Sequence, residues 1–247
     1  VTYAKRLQDA ILPSEKAMTA LLPEHFMLYK PKDIVSGDFY WMDKIENKIL
    51  FAACDCTGHG VPGAMVSVIC NGALNRSVRE FKLTDPGKIL DKTRELIVAE
   101  FEKSDENVND GMDAALCSLS LNEKETTLEY AGAHNPLWLI RNESDDIEEI
   151  KADKQPIGKY DNPQPYTTHQ VKLNEGDTIY IFSDGYVDQF GGDRGKKLKA
   201  KNMRTIFQQA AQLEVEEQSQ FLETEFLKWK ADEEQRDEVC VIGTKIL

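Results

Sequence analysis

The chain has 247 residues, of which 41% are apolar, 30% charged and 9% aromatic. That is ordinary globular composition, long enough for one large core, and a single sandwich or barrel domain is the first expectation. Thirty Lys and Arg against 43 Asp and Glu give a net charge of −13. A surface that acidic repels phosphate backbones and anionic lipid, so neither nucleic acid nor membrane is expected as a partner. No apolar run approaches the roughly 18 residues of a membrane-spanning helix, and no secretory leader pattern opens the chain.

Five cysteines, Cys54, Cys56, Cys70, Cys117 and Cys240, make an odd number in apolar surroundings without a disulfide-framework spacing, which fits a reducing, cytoplasmic setting. The first residue is Val1 rather than Met, which suggests a segment cut from a longer polypeptide. In the first twenty residues Tyr3, Leu7, Ala10, Ile11 and Leu21 fall at helical spacing, with a break near Pro13. This stripe either packs on its own domain or belongs to a linker helix from an upstream module, and the sequence leaves both open.

Strands are expected at Phe26 to Tyr29, Phe39 to Ile45 and Ile49 to Cys54, the last two joined by a polar turn into a hairpin. Helices follow over Val61 to Glu80 and, with an Asp85 cap and Pro86 opening, to Lys103. Strands resume at 114–121, 127–133, 137–141, 147–151, 166–173 and 177–182, with a turn at 122–125, and read as an antiparallel meander. Residues 191–197 read as a loop, 198–230 as two helices, and Val239 to Ile246 as a last strand. This order points to antiparallel sheets with helices outside rather than alternating βαβ units.

Four aspartates sit at strand ends. Asp55 and Asp184 close apolar strands, Asp38 leads into one, and Asp237 precedes the last. Strand ends in a sheet protein converge on a common rim. Unpaired carboxylates there are costly to desolvate, and no adjacent Lys or Arg serves Asp38, Asp55 or Asp184. Such a set suits hard, oxygen-ligated cations such as Mg²⁺ or Mn²⁺. Taken singly, each Asp-Gly or Gly-Asp pair also reads as a turn former. It is the four together, beside Gly58-His59-Gly60, that favour the metal reading. Zinc is not expected, because Cys54 and Cys56 have no second ligand pair at the required spacing.

The segments Ser36-Gly37-Asp38-Phe39-Tyr40-Trp41, Asp55-Cys56-Thr57-Gly58-His59-Gly60-Val61-Pro62-Gly63-Ala64-Met65, Ala131-Gly132-Ala133-His134-Asn135-Pro136, Ser183-Asp184-Gly185 and Gln235-Arg236-Asp237-Glu238-Val239 stand in one order along the chain. They resemble the motif set of the SpoIIE-type bacterial serine phosphatases, a branch of the metal-dependent type 2C (PPM) protein phosphatases. The resemblance runs from about residue 4 to 247, and residues 4–13 are similar to the helix that precedes this domain in multi-domain bacterial sensors.

What the resemblance implies is an α+β, four-layer α-β-β-α sandwich, two central antiparallel sheets flanked by helices, over residues 22–247, with 1–21 as a linker or regulatory helix. It also implies two Mn²⁺ or Mg²⁺ ions. Asp55 would bridge them, Asp38 and Asp184 would each serve one, Asp237 would complete the second, and the Cys56 carbonyl would supply a backbone oxygen. The implied reaction is hydrolysis of phosphoserine or phosphothreonine on a bacterial signalling protein, with an anti-sigma-factor antagonist as the family's usual substrate. A metal-bridging hydroxide would attack in line.

His59 is a candidate proton donor to the leaving oxygen, or else an orienting partner for a ligand carboxylate. His134 reads as a turn former, and Asp113, at the start of a strand, as a strand cap or else a member of the rim. Two features depart from the family. Glu238 replaces the second Asp of the closing motif, and only Lys30 and Lys32 stand near Asp38 where other type 2C enzymes carry a phosphate-holding arginine. An upstream sensor domain and a homodimer through the first helix are the further expected partners. Two rivals remain: a catalytically silent phosphoprotein-binding or dimerisation module of the same fold, and a metal hydrolase of small phosphate esters.

Overall fold

A computed structural model describes residues 1–22, 24–121 and 124–247, without the side chain of Leu121. The strands carry near-continuous apolar runs because both of their faces are buried, and alternate residues go to different layers. In β2 (Asp38–Ile45) and β3 (Lys48–Cys56), Phe39, Trp41, Leu50, Ala52 and Cys54 face helices, while Tyr40, Ile49, Phe51 and Ala53 face the other sheet.

Two helices precede this hairpin, α1 (Thr2–Ile11) and α2 (Glu15–Leu21), with β1 (His25–Lys30) between them and β2. Ser14 caps α2 by accepting from the Ala17 N–H at 3.1 Å, so the break falls at Leu12-Pro13 as the sequence predicts. The expected apolar stripe of α1 is not what docks. Tyr3 and Leu7 are 70% and 55% exposed, and the buried residue of this helix is Gln8.

After the hairpin come α3 (Gly60–Arg79) and α4 (Pro86–Phe101), the latter capped by Asp85, which accepts from Lys88 N–H at 3.1 Å. Next are β4 (Met112–Leu121), β5 (Thr126–Ala133), β6 (Leu137–Ile140), β7 (Ile147–Ile150), β8 (His169–Leu173) and β9 (Thr178–Phe182). The chain ends with β10 (Phe190–Gly191), β11 (Lys196–Lys197), α5 (Lys199–Ala211), α6 (Val215–Lys230) and β12 (Val239–Lys245).

One antiparallel sheet has the order β2-β3-β4-β5-β8 and the other β1-β12-β9-β6-β7. Leu119, Leu128 and Tyr130 of the first meet Leu139, Ile181 and Ile242 of the second in the core between the sheets. Helices α3 and α4 cover one outer face through Leu74, Val78, Ile89 and Ile97. Helices α5 and α6 cover the other, where Phe207 is ringed by Trp138, Tyr180, Phe182 and Tyr186 with centroids 5.1–5.7 Å away. The α-β-β-α sandwich expected from the resemblance is the observed fold.

Three expectations need correction. The strands from 114 to 182 do not form one meander. The chain leaves the first sheet after β5 through a turn with His134 at φ 61°, passes to the second sheet for β6 and β7, and returns to the first with β8. Residues 166–168 are not strand, because their polar groups turn to the start of α4 and to a nearby loop: Tyr166 N–H donates to Asp91, Thr167 N–H to Asp153 and the Thr168 hydroxyl to Asp85. Residues 191–197 hold part of a short hairpin, with Gly191 opposite Lys196. The predicted turn at 122–125 lies partly outside the described residues. All five cysteines are buried and free.

Because Phe207 fills the centre of an aromatic cluster at 0% exposure, Phe207→Ala should cost about 3–5 kcal/mol in chemical denaturation. A loss below about 1 kcal/mol would show that the α5/α6 layer is not packed as described.

Candidate metal centre

The β2–β3 hairpin places Asp38 directly opposite Asp55, and the next strand places Asp113 opposite Asp55 on its other side. The second sheet brings its own pair to the same rim. Asp184 follows the end of β9, Asp237 precedes β12, and Phe182 and Val241 are register partners between these strands. Ser183 ties the sheets together: its hydroxyl donates to Asp38 Oδ2 at 2.5 Å and accepts from Cys240 N–H at 3.0 Å. Tyr29 adds a hydroxyl donated to the Asp38 carbonyl at 2.8 Å, and Gly37 N–H donates to Glu238 Oε1 at 3.3 Å. The glutamate that departs from the family's closing motif therefore touches the backbone of the first motif.

Burial of so many carboxylates is the dominant electrostatic fact of the site. Asp38 is held well above the usual carboxylate range by burial, and the charges of Glu238 and Asp237 push the same way. Asp55 is pushed up to about 12 by burial and then by the charges of Asp38 and Asp184. Asp184 is raised by burial, and Glu238 is pushed up to about 7 by burial and its contact with Asp237. Among the described residues no Lys or Arg forms an ion pair with any of the four aspartates, and Asp184 Oδ1 is buried with no hydrogen-bond partner. No three such side chains stand in a ready-made ligating arrangement among the described residues. The donor set nevertheless fits divalent cations: it is all oxygen, anionic and missing its counter-charge.

The backbone around Cys56 is shaped by close approach. A Cβ on Gly37 would lie 2.7 Å from the Gly58 carbonyl and 3.2 Å from that of Cys56, and one on Gly63 would meet the Gly58 carbonyl at 2.7 Å. Glycine at 37 and 63 thus lets the α3 entry pack on the Asp38 loop, with the Cys56 carbonyl beside Gly37.

His59 is the N-cap residue of α3 and is not among the carboxylates. Its side chain is 65% exposed and its Nδ1 stands 3.4 Å from Asp33 Oδ2. Lys30, one of the two lysines expected near the first motif, is engaged elsewhere, 2.9 Å from Glu223. Asp113 is not a strand cap. It lies within β4, accepts from or shares a proton with His134 Nδ1 at 2.9 Å, and lines a cavity of about 160 Å³ with Asp55, Cys56 and Asp184. Sequence reading missed Lys159, which lines the same cavity from an irregular segment; only the strand pairing reveals its position. Gln8 was also missed. Its amide donates to the Ser36 carbonyl at 2.5 Å and accepts from Ser36 N–H at 2.9 Å, two residues before Asp38.

Raised carboxylate pKa values mean that the native metal-free protein binds more protons than the unfolded chain once pH exceeds about 4. Their contribution is most favourable below that pH and is lost as pH rises toward and through the native values. Metal-free protein should therefore lose thermal stability between about pH 5 and pH 8, and Mn²⁺ should flatten the slope while releasing protons to buffer. A metal-free profile that rises over this window would contradict the described burial.

Comparison with known proteins places the family and the fold. The model of the Stage II sporulation protein E (SpoIIE) family matches residues 45–246. Curated protein sequences give no match. Among solved structures, the SiaA-PP2C domain of Pseudomonas aeruginosa is 28% identical, with a TM-score of 0.87 over 100% of this chain and 95% of that one. The PP2C phosphatase domain with a regulatory fragment of SpoIIE from Bacillus subtilis is 18% identical, with a TM-score of 0.72 over 90% of this chain and 63% of that one. MsPP, a PPM Ser-Thr phosphatase of Mycobacterium smegmatis, is 15% identical, with a TM-score of 0.57 over 92% and 99% of the two chains. With its PP2C-type sandwich and its aspartates gathered on one rim, the chain belongs to the SpoIIE family.

Proposed function

We propose that this chain is a metal-dependent phosphatase of phosphoserine and phosphothreonine in a cytoplasmic signalling protein. The observation that carries the reading is a set of rim carboxylates, Asp38 buried and Asp55, Asp184 and Asp237 half-buried, without a basic partner among the described residues and with Asp184 Oδ1 left unsatisfied. Asp38, Asp55, Asp184, Asp237 and the Cys56 carbonyl would hold two Mn²⁺ or Mg²⁺ ions. When bound, such ions supply water that is acidic enough to ionise at neutral pH and offset charge on the phosphoryl oxygens.

The chain's own groups do the positioning. Ser183 holds one Asp38 oxygen, so the carboxylate cannot rotate away from the rim. Glu238, through Gly37, fixes the loop that carries Asp38. His59, with Nδ1 toward Asp33, would give a proton from Nε2 to the leaving serine oxygen. Following the SpoIIE family, the substrate we assign is a phosphorylated anti-sigma-factor antagonist.

Residues 1–21 act in this reading as the regulatory segment. Gln8 joins α1 to the Asp38 loop, while Tyr3 and Leu7 stay exposed to receive an upstream sensor or a second copy. A movement of α1 would then be felt at Ser36, two residues before Asp38.

Purified protein should hydrolyse an aryl phosphate and a phosphoserine peptide with Mn²⁺ and lose this activity with chelator. Asp184→Ala should lower it on the order of 100-fold or more at unchanged circular dichroism. Folded, Mn²⁺-binding protein without phosphatase activity would instead support the silent binding module, and a preference for nucleotides over phosphopeptide would support the small-ester hydrolase.

Removing Gln8 leaves the buried polar groups of Ser36 unpaired at a cost of about 1–3 kcal/mol. If α1 is coupled to the site, Gln8→Ala should weaken Mn²⁺ binding by about fivefold or more in calorimetry. Unchanged affinity and activity in both Gln8→Ala and a chain lacking residues 1–21 would remove the regulatory role.

A further inference from the structure

A phosphomonoester dianion must enter a cleft in a chain of net charge −13, past a rim of carboxylates. Two divalent cations would balance the formal charge of the four aspartates and leave the field of the rest of the chain acidic. A further positive group at the mouth would add to their attraction for phosphate. The cavity of about 160 Å³ bordered by Asp55, Cys56, Asp113 and Asp184 has one basic residue among those that line it, Lys159.

Its backbone is firmly placed. Ile157 and Met112 exchange both backbone hydrogen bonds, at 2.7 and 3.1 Å, which fastens the segment to β4 at the end where β4 carries Asp113 opposite Asp55. Gly158 packs against Gly111, where a Cβ would stand 3.3 Å from the Gly111 Cα. The side chain beyond this anchor is exposed, and among the described residues its one polar contact is a long hydrogen bond of 3.4 Å donated to Asn107 Oδ1, which lines the neighbouring cavity and holds the ammonium only weakly. Among the described residues no carboxylate forms an ion pair with it, whereas Lys30 is committed to Glu223. On its other side Lys159 borders a cavity of about 220 Å³ with Glu102, Asp105, Glu106 and Asp110, a wall that repels an anion. With cations balancing Asp55 and Asp184, an anion drawn to Lys159 meets less repulsion on their side than on this wall.

We infer that Lys159 is a phosphate-binding residue of this site, receiving the phosphoryl group of a phosphomonoester at the cavity mouth. This deepens the phosphatase reading and rests on it. A flexible ammonium with three donors suits the task, because it follows the phosphate from encounter to product without the fixed fork of a guanidinium.

The test compares wild type, Lys159→Glu, Lys159→Ala and Lys159→Arg in two measurements. Steady-state hydrolysis of a phosphoserine peptide and an aryl phosphate should show KM raised about tenfold or more in Lys159→Glu and less in Lys159→Ala, with kcat within about threefold and Lys159→Arg near wild type. Calorimetric titration with inorganic phosphate in saturating Mg²⁺ should show the same order of weakening, while Mg²⁺ affinity and melting temperature stay at wild-type values. Unchanged KM and phosphate affinity in Lys159→Glu, with active wild type, would overturn the assignment and leave the phosphatase reading intact. If wild type proves inactive yet binds phosphate, loss of binding in Lys159→Glu supports the assignment and equal binding overturns it. Wild type that neither hydrolyses nor binds phosphate would overturn both readings.

Discussion

The structure depends on a confrontation of negative charges that the fold does not relieve. Asp38 and Asp55 come from one sheet, Asp184 and Asp237 from the other, so the two sheets can pack closely at this end only if something tolerates their carboxylates. Ser183 does part of this by joining Asp38 to the backbone of β12. Protons do another part, as the raised pKa values of Asp38, Asp55 and Asp184 show. The same carboxylates that destabilise the rim are the groups that a cation would need. Stability and function are therefore opposed in the same atoms.

Two local devices keep the rim from splaying. Glycine at 37 and 63 permits backbone contact between the Asp38 loop and the start of α3. Glu238, one bond longer than the aspartate common in the family, reaches the Gly37 N–H. The substitution thus alters how the closing motif is held and leaves Asp237 in place. Gln8 extends this network into α1, so the first helix is connected to the rim by polar contacts rather than by its apolar stripe.

Much of this was legible in the sequence because strands with both faces buried produce long apolar runs, and runs ending in Asp announce themselves. The Asp55 and Asp184 strands and the Pro86 helix were placed within a residue or two. Hidden from sequence was everything that depends on which strand lies beside which. Asp113 joins the rim only because β4 pairs with β3 in that register, and Lys159 only because Ile157 bridges to Met112. Gln8 was overlooked since helical periodicity directs attention to apolar residues, while this helix docks through a polar one. The crossing between sheets after β5 hinges on one left-handed residue, His134, whose type gives little warning of it.

The strand order also has a consequence for synthesis. β1 is the first strand made, yet its sheet neighbour is β12, the last, and β12 in turn separates β1 from β9. On the ribosome the second sheet stays divided, and Asp38 waits without the backbone that anchors Ser183, until the final strand emerges. A chain cut before Asp237 would carry Asp38, Asp55 and Asp184 and leave β1 without its sheet neighbour. The rim is thus the last part of this fold to be completed, however early its first aspartate is made.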